Sequence, residues 1–89
     1  MPTYHLLIKG EVQGVFYRAT AKKVADELGV TGWIKNTQDD DVEAVVTGTE
    51  EQLNRFITWC KTGPAMANVK DVIATGQEER KFEDFSVRR

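Results

Sequence analysis

Residues 3–18 read "TYHLLIKGEVQGVFYR", and two kinds of periodicity meet within them. In the first half, Tyr4, Leu6 and Ile8 alternate with other residues, which is typical of a half-buried β-strand. Glycines at positions 10 and 14 follow, and a helical pattern begins at Tyr17. No Ser, Thr, Asp or Asn directly precedes that helix, so its first amides lack a capping side chain. The stretch therefore predicts a strand, a glycine-containing loop and an uncapped helix.

The remaining sequence supplies one more helix and four more strands. A helix over 17–28 ends at Gly29, and a second helix over 49–62 opens with a capping-box pattern of Thr49 and Gln52. The predicted strands are "TGWIKN" at 31–36, "VEAVVTG" at 42–48, "NVKDVIATG" at 68–76 and a short one within "EDFSVRR" at 83–89. The order β-α-β-β-α-β predicts a single α+β domain over residues 1–89. Its expected fold is ferredoxin-like, with two helices on one face of an antiparallel sheet and a short extra C-terminal strand.

This topology brings two distant segments together. In a split β-α-β unit the first and second strands run parallel with the third between them, so both end at the same edge of the sheet. We therefore expect the loop of "EVQGVFYR" (11–18) to lie beside "KN" (35–36).

The residues at that edge have chemistry suited to an anion, although each also has a plainer interpretation. Glycine allows loop amides to turn inward as a concave nest, where a phosphate could accept their hydrogen bonds. Arg18 adds a planar fork matched to phosphate oxygens. The alternative is a hydrated strand-to-helix turn with Arg18 in solvent. Asn36 could hold a water beside a bound phosphate, or could simply begin the hairpin turn.

Composition and charge argue against several classes of protein. The chain has 89 residues, a net charge of −2 and one cysteine, Cys60. A negative net charge without a basic block argues against general nucleic-acid binding, and a lone cysteine fits a reducing compartment. The sequence contains neither a signal-peptide pattern nor an apolar run long enough to span a bilayer, so we expect a cytoplasmic protein without membrane contact. We also expect a monomer.

Three segments resemble the motifs of the acylphosphatase family. "GEVQGVFYR" (10–18) resembles the signature G-x-V-Q-G-V-x-[FY]-R at every specified position. "GWIKNTQDDDVEAVVTG" (32–48) resembles the second signature, and "GPAMANV" (63–69) is similar to a third segment, in family order and spacing. The departures are Asp40 for a hairpin glycine, Ala65 for a proline, Ile34 for a smaller residue, and Ala21 for a threonine, with Thr20 one place earlier.

The resemblance implies an enzyme that hydrolyses small-molecule acyl phosphates to a carboxylate and orthophosphate, with no metal or cofactor. It implies that the amides of the 13–18 loop and the Arg18 guanidinium bind the phosphoryl group. The residues of that loop are Gln13, Gly14, Val15, Phe16, Tyr17 and Arg18. It further implies that Asn36 orients the attacking water, which makes Arg18 and Asn36 the expected catalytic pair.

Two other functions are compatible with the same element order. A non-catalytic phosphate-binding or regulatory module would use the same loop, although retention of both Arg18 and Asn36 argues against it. An RNA-recognition module would need aromatic residues on its central strands, and "VEAVVTG" has none.

Aspartate at position 40 leads to a prediction about stability. An Asp40→Gly substitution should stabilise the fold, if that residue has a left-handed backbone.

Overall fold

Strand β1 (Thr3–Glu11) divides its residues between core and surface as the alternation predicts. Leu6 and Ile8 are fully buried, whereas Lys9 is exposed. In this computed structural model, which describes residues 1–89, β1 pairs antiparallel with two neighbouring strands. The register shifts at Gly10, where a side chain would collide with the backbone of Asn68 on the neighbouring strand. This close approach explains the first glycine of the opening stretch.

The other elements follow in the predicted order. They are α1 (Tyr17–Leu28), β2 (Thr31–Asn36), β3 (Val42–Thr47), α2 (Glu50–Thr62), β4 (Asn68–Gln77) and β5 (Phe85–Val87). The strand order in the sheet is β4-β1-β3-β2-β5, so β3 lies between β1 and β2. This confirms the predicted topology, and with it the prediction that β1 and β2 end at the same edge.

One feature of the sheet differs from the expected antiparallel arrangement. Strand β5 pairs parallel with β2, which makes the five-stranded sheet mixed. The reason is the path of residues 78–84, which cross from β4 to the beginning of β2. Two hydrogen bonds to the Arg80 backbone hold this crossing segment in place. The Thr3 hydroxyl accepts from the Arg80 amide at 2.9 Å, and the Thr47 hydroxyl donates to the Arg80 carbonyl at 2.8 Å. The chain therefore enters β5 in the same direction as β2.

The helices pack on one face of the sheet and enclose the core. The residues that define their inward faces are buried: Ala21 and Ala25 of α1, and Leu53, Phe56 and Cys60 of α2. The predicted capping box is present, since the Gln52 amide donates to the Thr49 hydroxyl at 3.1 Å and the Thr49 amide donates to Gln52 Oε1 at 2.8 Å. Neither helix has the length and apolar character needed to cross a membrane.

Candidate active site

A cavity of about 280 Å³ lies at the sheet edge where β1 and β2 end. It is lined by Val12, Gly14, Phe16, Tyr17, Arg18, Ala19, Asn36 and Val87. The loop after β1 and the last residue of β2 therefore meet at one surface, which confirms the neighbourhood that the topology predicts. Five of the predicted site residues line this cavity, while Gln13 and Val15 do not.

The loop between β1 and α1 has the backbone geometry of an anion-binding turn. Gly14 has a φ of 72° and Phe16 a φ of 63°, both in the left-handed region. A side chain at Gly14 would meet nothing within 4 Å, so the backbone conformation rather than lack of space favours glycine there. Phe16 is the N-cap residue of α1 and makes no side-chain cap hydrogen bond. Since none of the backbone hydrogen bonds outside the helices and strands is donated by residues 12–16, these amides remain available to a ligand.

Arg18 is oriented by the chain segment that follows β5. Its Nη1 donates to the backbone carbonyl of Arg88 at 2.7 Å, and the Arg88 amide in turn donates to the Ile34 carbonyl at 2.7 Å. The guanidinium is thereby tied to β2, which also carries Asn36. Because a guanidinium has five N–H donors, this contact leaves others for an anion in the cavity.

Asn36 carries the unsatisfied polar atom of the site. Its Oδ1 is the one buried side-chain nitrogen or oxygen without a hydrogen-bond partner. An unpaired buried acceptor is unfavourable by about 1–3 kcal/mol, and a water or substrate group that donates to it would remove that cost. Asn36 ends β2 opposite Val42, so the sheet fixes its backbone.

The Gln13 side chain has a role that the sequence pattern did not indicate. Its Nε2 donates to the Thr37 carbonyl at 2.9 Å and to the Asp41 carbonyl at 2.7 Å. These two carbonyls flank the turn between β2 and β3, so Gln13 joins that turn to the loop after β1. Its expected contribution to phosphate binding is thus limited to its backbone amide. Every residue type has a backbone carbonyl that can accept a hydrogen bond, so the sequence alone did not reveal this contact.

The Tyr17 side chain is also directed away from an anion-binding role. It is buried, and its hydroxyl donates to the Cys60 carbonyl at 2.8 Å. Burial raises the pKa of Tyr17 far above its ordinary value, with the adjacent Cys60 adding to the effect. Val15 is half-buried and packs against the core cluster. For both residues, only the backbone can face a bound phosphate.

The charged residues nearby are largely paired with one another. Glu43 accepts from His5 at 2.8 Å and lies 3.4 Å from the Lys35 ammonium. The hydrogen bond from His5, assisted by Lys35, holds the pKa of Glu43 below its usual value. Trp33 lies on the opposite face of the sheet from the helices, with the Arg88 guanidinium 4.8 Å from its ring centroid. It does not line the cavity.

Four residues at or beside the site were not among those predicted from the sequence. Val12, Ala19 and Val87 line the cavity, and the carbonyl of Arg88 holds Arg18. Val12 lies within the motif at 10–18 and Ala19 directly follows it, so their position could have suggested them. Val87 ends β5 and Arg88 follows it, and the parallel pairing of β5 with β2 that places them there is a long-range property of the fold.

Comparisons with known proteins agree with this architecture. A model of the acylphosphatase family matches residues 4–87. An acylphosphatase of Bordetella parapertussis is 42% identical over 87 residues, covering 97% of this chain and 93% of the relative. A solved acylphosphatase from Coxiella burnetii superposes with a TM-score of 0.94 at 37% identity, covering 98% of this chain and 92% of that one.

A second solved structure leads to the same conclusion. The acylphosphatase of Bacillus subtilis superposes with a TM-score of 0.91 at 33% identity, and each chain is covered completely. The match thus extends through both helices and all five strands. This chain belongs to the acylphosphatase family.

Proposed function

We propose that this protein hydrolyses the carboxyl–phosphate bond of acyl phosphates in the cavity between Arg18 and Asn36. The observation that carries the proposal is that one cavity is lined by the left-handed loop, the arginine and an asparagine with an unsatisfied buried oxygen. Family membership supports the choice of reaction. The proposal includes a monomeric, cytoplasmic protein in which residues 1–89 form one domain.

Phosphoryl binding falls to the loop amides and Arg18. The amides of residues 13–18 supply donors at the positive end of the α1 dipole, where a phosphate is favoured. The guanidinium of Arg18 contributes charge-assisted hydrogen bonds to the phosphoryl oxygens. Charge that develops on those oxygens in the transition state is thereby stabilised by groups already in position.

Asn36 orients the attacking water in this mechanism. Its unsatisfied Oδ1 accepts a hydrogen bond from the water, which directs the water oxygen at phosphorus. Correct positioning of a reactant accounts for a large share of the barrier reduction in such reactions. An amide cannot take a proton at neutral pH, so the water's proton passes to a phosphoryl oxygen.

The leaving group makes a general acid unnecessary. The departing carboxylate has a conjugate acid with a pKa of about 4, so it leaves without being protonated. The new bond joins the water oxygen to phosphorus, and the bond that breaks joins phosphorus to the carboxylate oxygen. Phosphoryl transfer of this kind depends on positioning and charge stabilisation, which are the two roles given to Asn36 and Arg18.

Steady-state hydrolysis of benzoyl phosphate tests this proposal. Arg18→Ala should lower kcat/KM by about a hundredfold or more and weaken competitive inhibition by orthophosphate, because the charge at the phosphoryl group is lost. Asn36→Ala should lower kcat with little change in the orthophosphate inhibition constant, because it removes only the orientation of water.

Matched controls come from α2. Arg55→Ala and Asn54→Ala remove the same two side-chain types from exposed positions away from the cavity, and both should leave the kinetics unchanged. Full activity in Arg18→Ala would exclude the proposed site. Orthophosphate binding without turnover of any acyl phosphate would instead identify a non-catalytic phosphate-binding module.

A further inference from the structure

Phe16 is an exposed aromatic residue at the mouth of the proposed site. The residue is 80% exposed, the largest value among the exposed large apolar residues. Its φ of 63° lies in the left-handed region, which a bulky residue seldom adopts. The ring therefore makes little contribution to the core, although its backbone is held in an unfavourable conformation. Both facts suggest a function for the ring outside the core.

The backbone beneath this ring is fixed by the first turn of α1. The Phe16 carbonyl accepts from the Thr20 amide at 3.0 Å and from the Thr20 hydroxyl at 2.8 Å. Two hydrogen bonds to one carbonyl define where the Phe16 side chain leaves the main chain. The ring is thus attached to a fixed backbone position beside Arg18, and Thr20, which lies outside the motif, helps to fix it.

A second exposed apolar residue lies at the same cavity. Val87 of β5 is 41% exposed and lines the cavity together with Phe16, Arg18 and Asn36. Val12 and Ala19 complete an apolar wall around the two polar groups. An exposed apolar surface that adjoins polar binding groups is the usual composition of a small-molecule site.

We propose that Phe16 and Val87 form an acyl-binding ledge, which selects acyl phosphates whose acyl group is aromatic or extended and apolar. This proposal rests on the proposed function, since the ledge adjoins the groups that would hold the phosphoryl half of the substrate. With the phosphate at the loop amides and Arg18, the acyl half is the part of the substrate left to contact these side chains. An aromatic acyl group would pack against the Phe16 ring and shield apolar surface from water.

An anionic acyl group is the competing possibility, because cationic residues lie nearby. Lys35 is paired with Glu43 at 3.4 Å, and Arg88 stacks over Trp33 on the other face of the sheet. Neither side chain lines the cavity that contains Arg18. The cavity wall beside Arg18 is apolar rather than cationic, which favours an uncharged acyl group.

The test compares kcat/KM for benzoyl, acetyl and succinyl phosphate in the unaltered protein and in Phe16→Ala. The benzoyl-to-acetyl ratio should fall by about three- to tenfold in Phe16→Ala, the range expected for losing one aromatic contact. The inhibition constant of orthophosphate should stay within about twofold, because the ring contacts the acyl half alone. Phe16→Leu retains an apolar side chain and should give an intermediate ratio. Alanine keeps a Cβ at position 16, so the loop strain is similar in both proteins.

Ile73→Ala is the control, since it shortens an apolar residue of β4 that is 44% exposed and does not line the cavity. It should leave the ratio unchanged. The proposal is overturned if the ratio in Phe16→Ala equals that of the unaltered protein, if both substrates lose activity equally, or if succinyl phosphate is preferred over benzoyl phosphate. If hydrolysis depends on Arg18 but the benzoyl-to-acetyl ratio is unchanged in Phe16→Ala, the acyl-binding ledge is rejected and the proposed function is not. Absence of all hydrolysis would reject the proposed function as well.

Discussion

At the scale of single residues, the two non-glycine positions with a left-handed backbone both lie near the proposed site. Phe16 has a φ of 63° at the start of α1, and Asp40 a φ of 67° in the turn between β2 and β3. The turn is held by the Thr37 hydroxyl, which accepts from the Asp39 amide at 3.3 Å and from the Asp41 amide at 3.1 Å. The φ of Asp40 meets the condition under which Asp40→Gly is expected to stabilise the fold.

Replacing Asp40 by glycine should therefore stabilise the protein. The left-handed conformation disfavours a residue with a Cβ, so Asp40→Gly should raise the free energy of unfolding by about 1 kcal/mol. Urea denaturation gives this value. Asp39→Gly is the matched control, because Asp39 has no positive φ. It should lower stability by about 0.5–1 kcal/mol through the added freedom of the unfolded chain. An equal effect of the two substitutions would show that strain at position 40 is not the cause.

At the scale of elements, α1 and α2 are joined by a buried hydrogen bond. The Tyr17 hydroxyl in the first turn of α1 donates at 2.8 Å to the Cys60 carbonyl near the end of α2. Carbonyls in the last turn of a helix lack intrahelical partners, and Tyr17 satisfies one of them. The Tyr17 ring also lies 5.2 Å from the Trp59 ring, centroid to centroid. The start of α1, where the anion-binding loop ends, is thereby fixed to the second helix.

The buried positions of Tyr17 and Cys60 lead us to expect a loss of stability in alkaline solution. Burial raises the pKa of Tyr17 far above its ordinary value and raises the pKa of the Cys60 thiol to about 12. Both groups hold their protons more tightly in the folded protein than in the unfolded chain, where their pKa values are about 10 and 8.5. Their contribution to stability is therefore complete below about pH 8.5 and decreases as the pH rises, by up to about 1.4 kcal/mol per pH unit for each group.

The Tyr17→Phe variant separates the contribution of Tyr17 to this pH dependence from that of Cys60. At pH 7 the variant should lose about 1 kcal/mol of stability, because the Cys60 carbonyl loses its donor. Above about pH 10 the difference from the unaltered protein should shrink, since phenylalanine has no proton to lose. Urea midpoints across this range measure the effect. Parallel stability curves at all pH values would mean that Tyr17 ionisation does not affect unfolding.

At the scale of the whole molecule, the site depends on segments from both halves of the chain. The sequence predicted that the loop after β1 meets Asn36, because the split β-α-β order requires it. It did not predict the Arg18–Arg88 contact or the Gln13 contacts, because these use backbone carbonyls that any residue type supplies. The parallel pairing of β5 was also missed, since it depends on the path of residues 78–84 across the sheet. The motifs thus identify the side chains proposed to act on a ligand more readily than the backbone contacts that hold those side chains in place.

If residues 1–89 form one domain, as proposed, unfolding should be a single transition. Trp33 reports on the sheet face away from the helices, and Trp59 reports on the packing of α2 against Tyr17. In Trp33→Phe and in Trp59→Phe, the remaining tryptophan fluorescence and the far-ultraviolet circular dichroism should give the same urea midpoint. Different midpoints for the two probes within either variant would indicate that the two faces unfold separately.

The central claim is that Arg18 and the loop amides hold the phosphoryl group while Asn36 directs water at phosphorus. Hydrolysis of benzoyl phosphate in water enriched in oxygen-18 tests it most directly, with mass spectrometry of both products under single-turnover conditions. The mechanism predicts one labelled oxygen in orthophosphate and none in benzoate, because the phosphorus–oxygen bond is the one broken. Label in benzoate would show that water attacks the acyl carbon, and would contradict the roles proposed for Arg18 and Asn36.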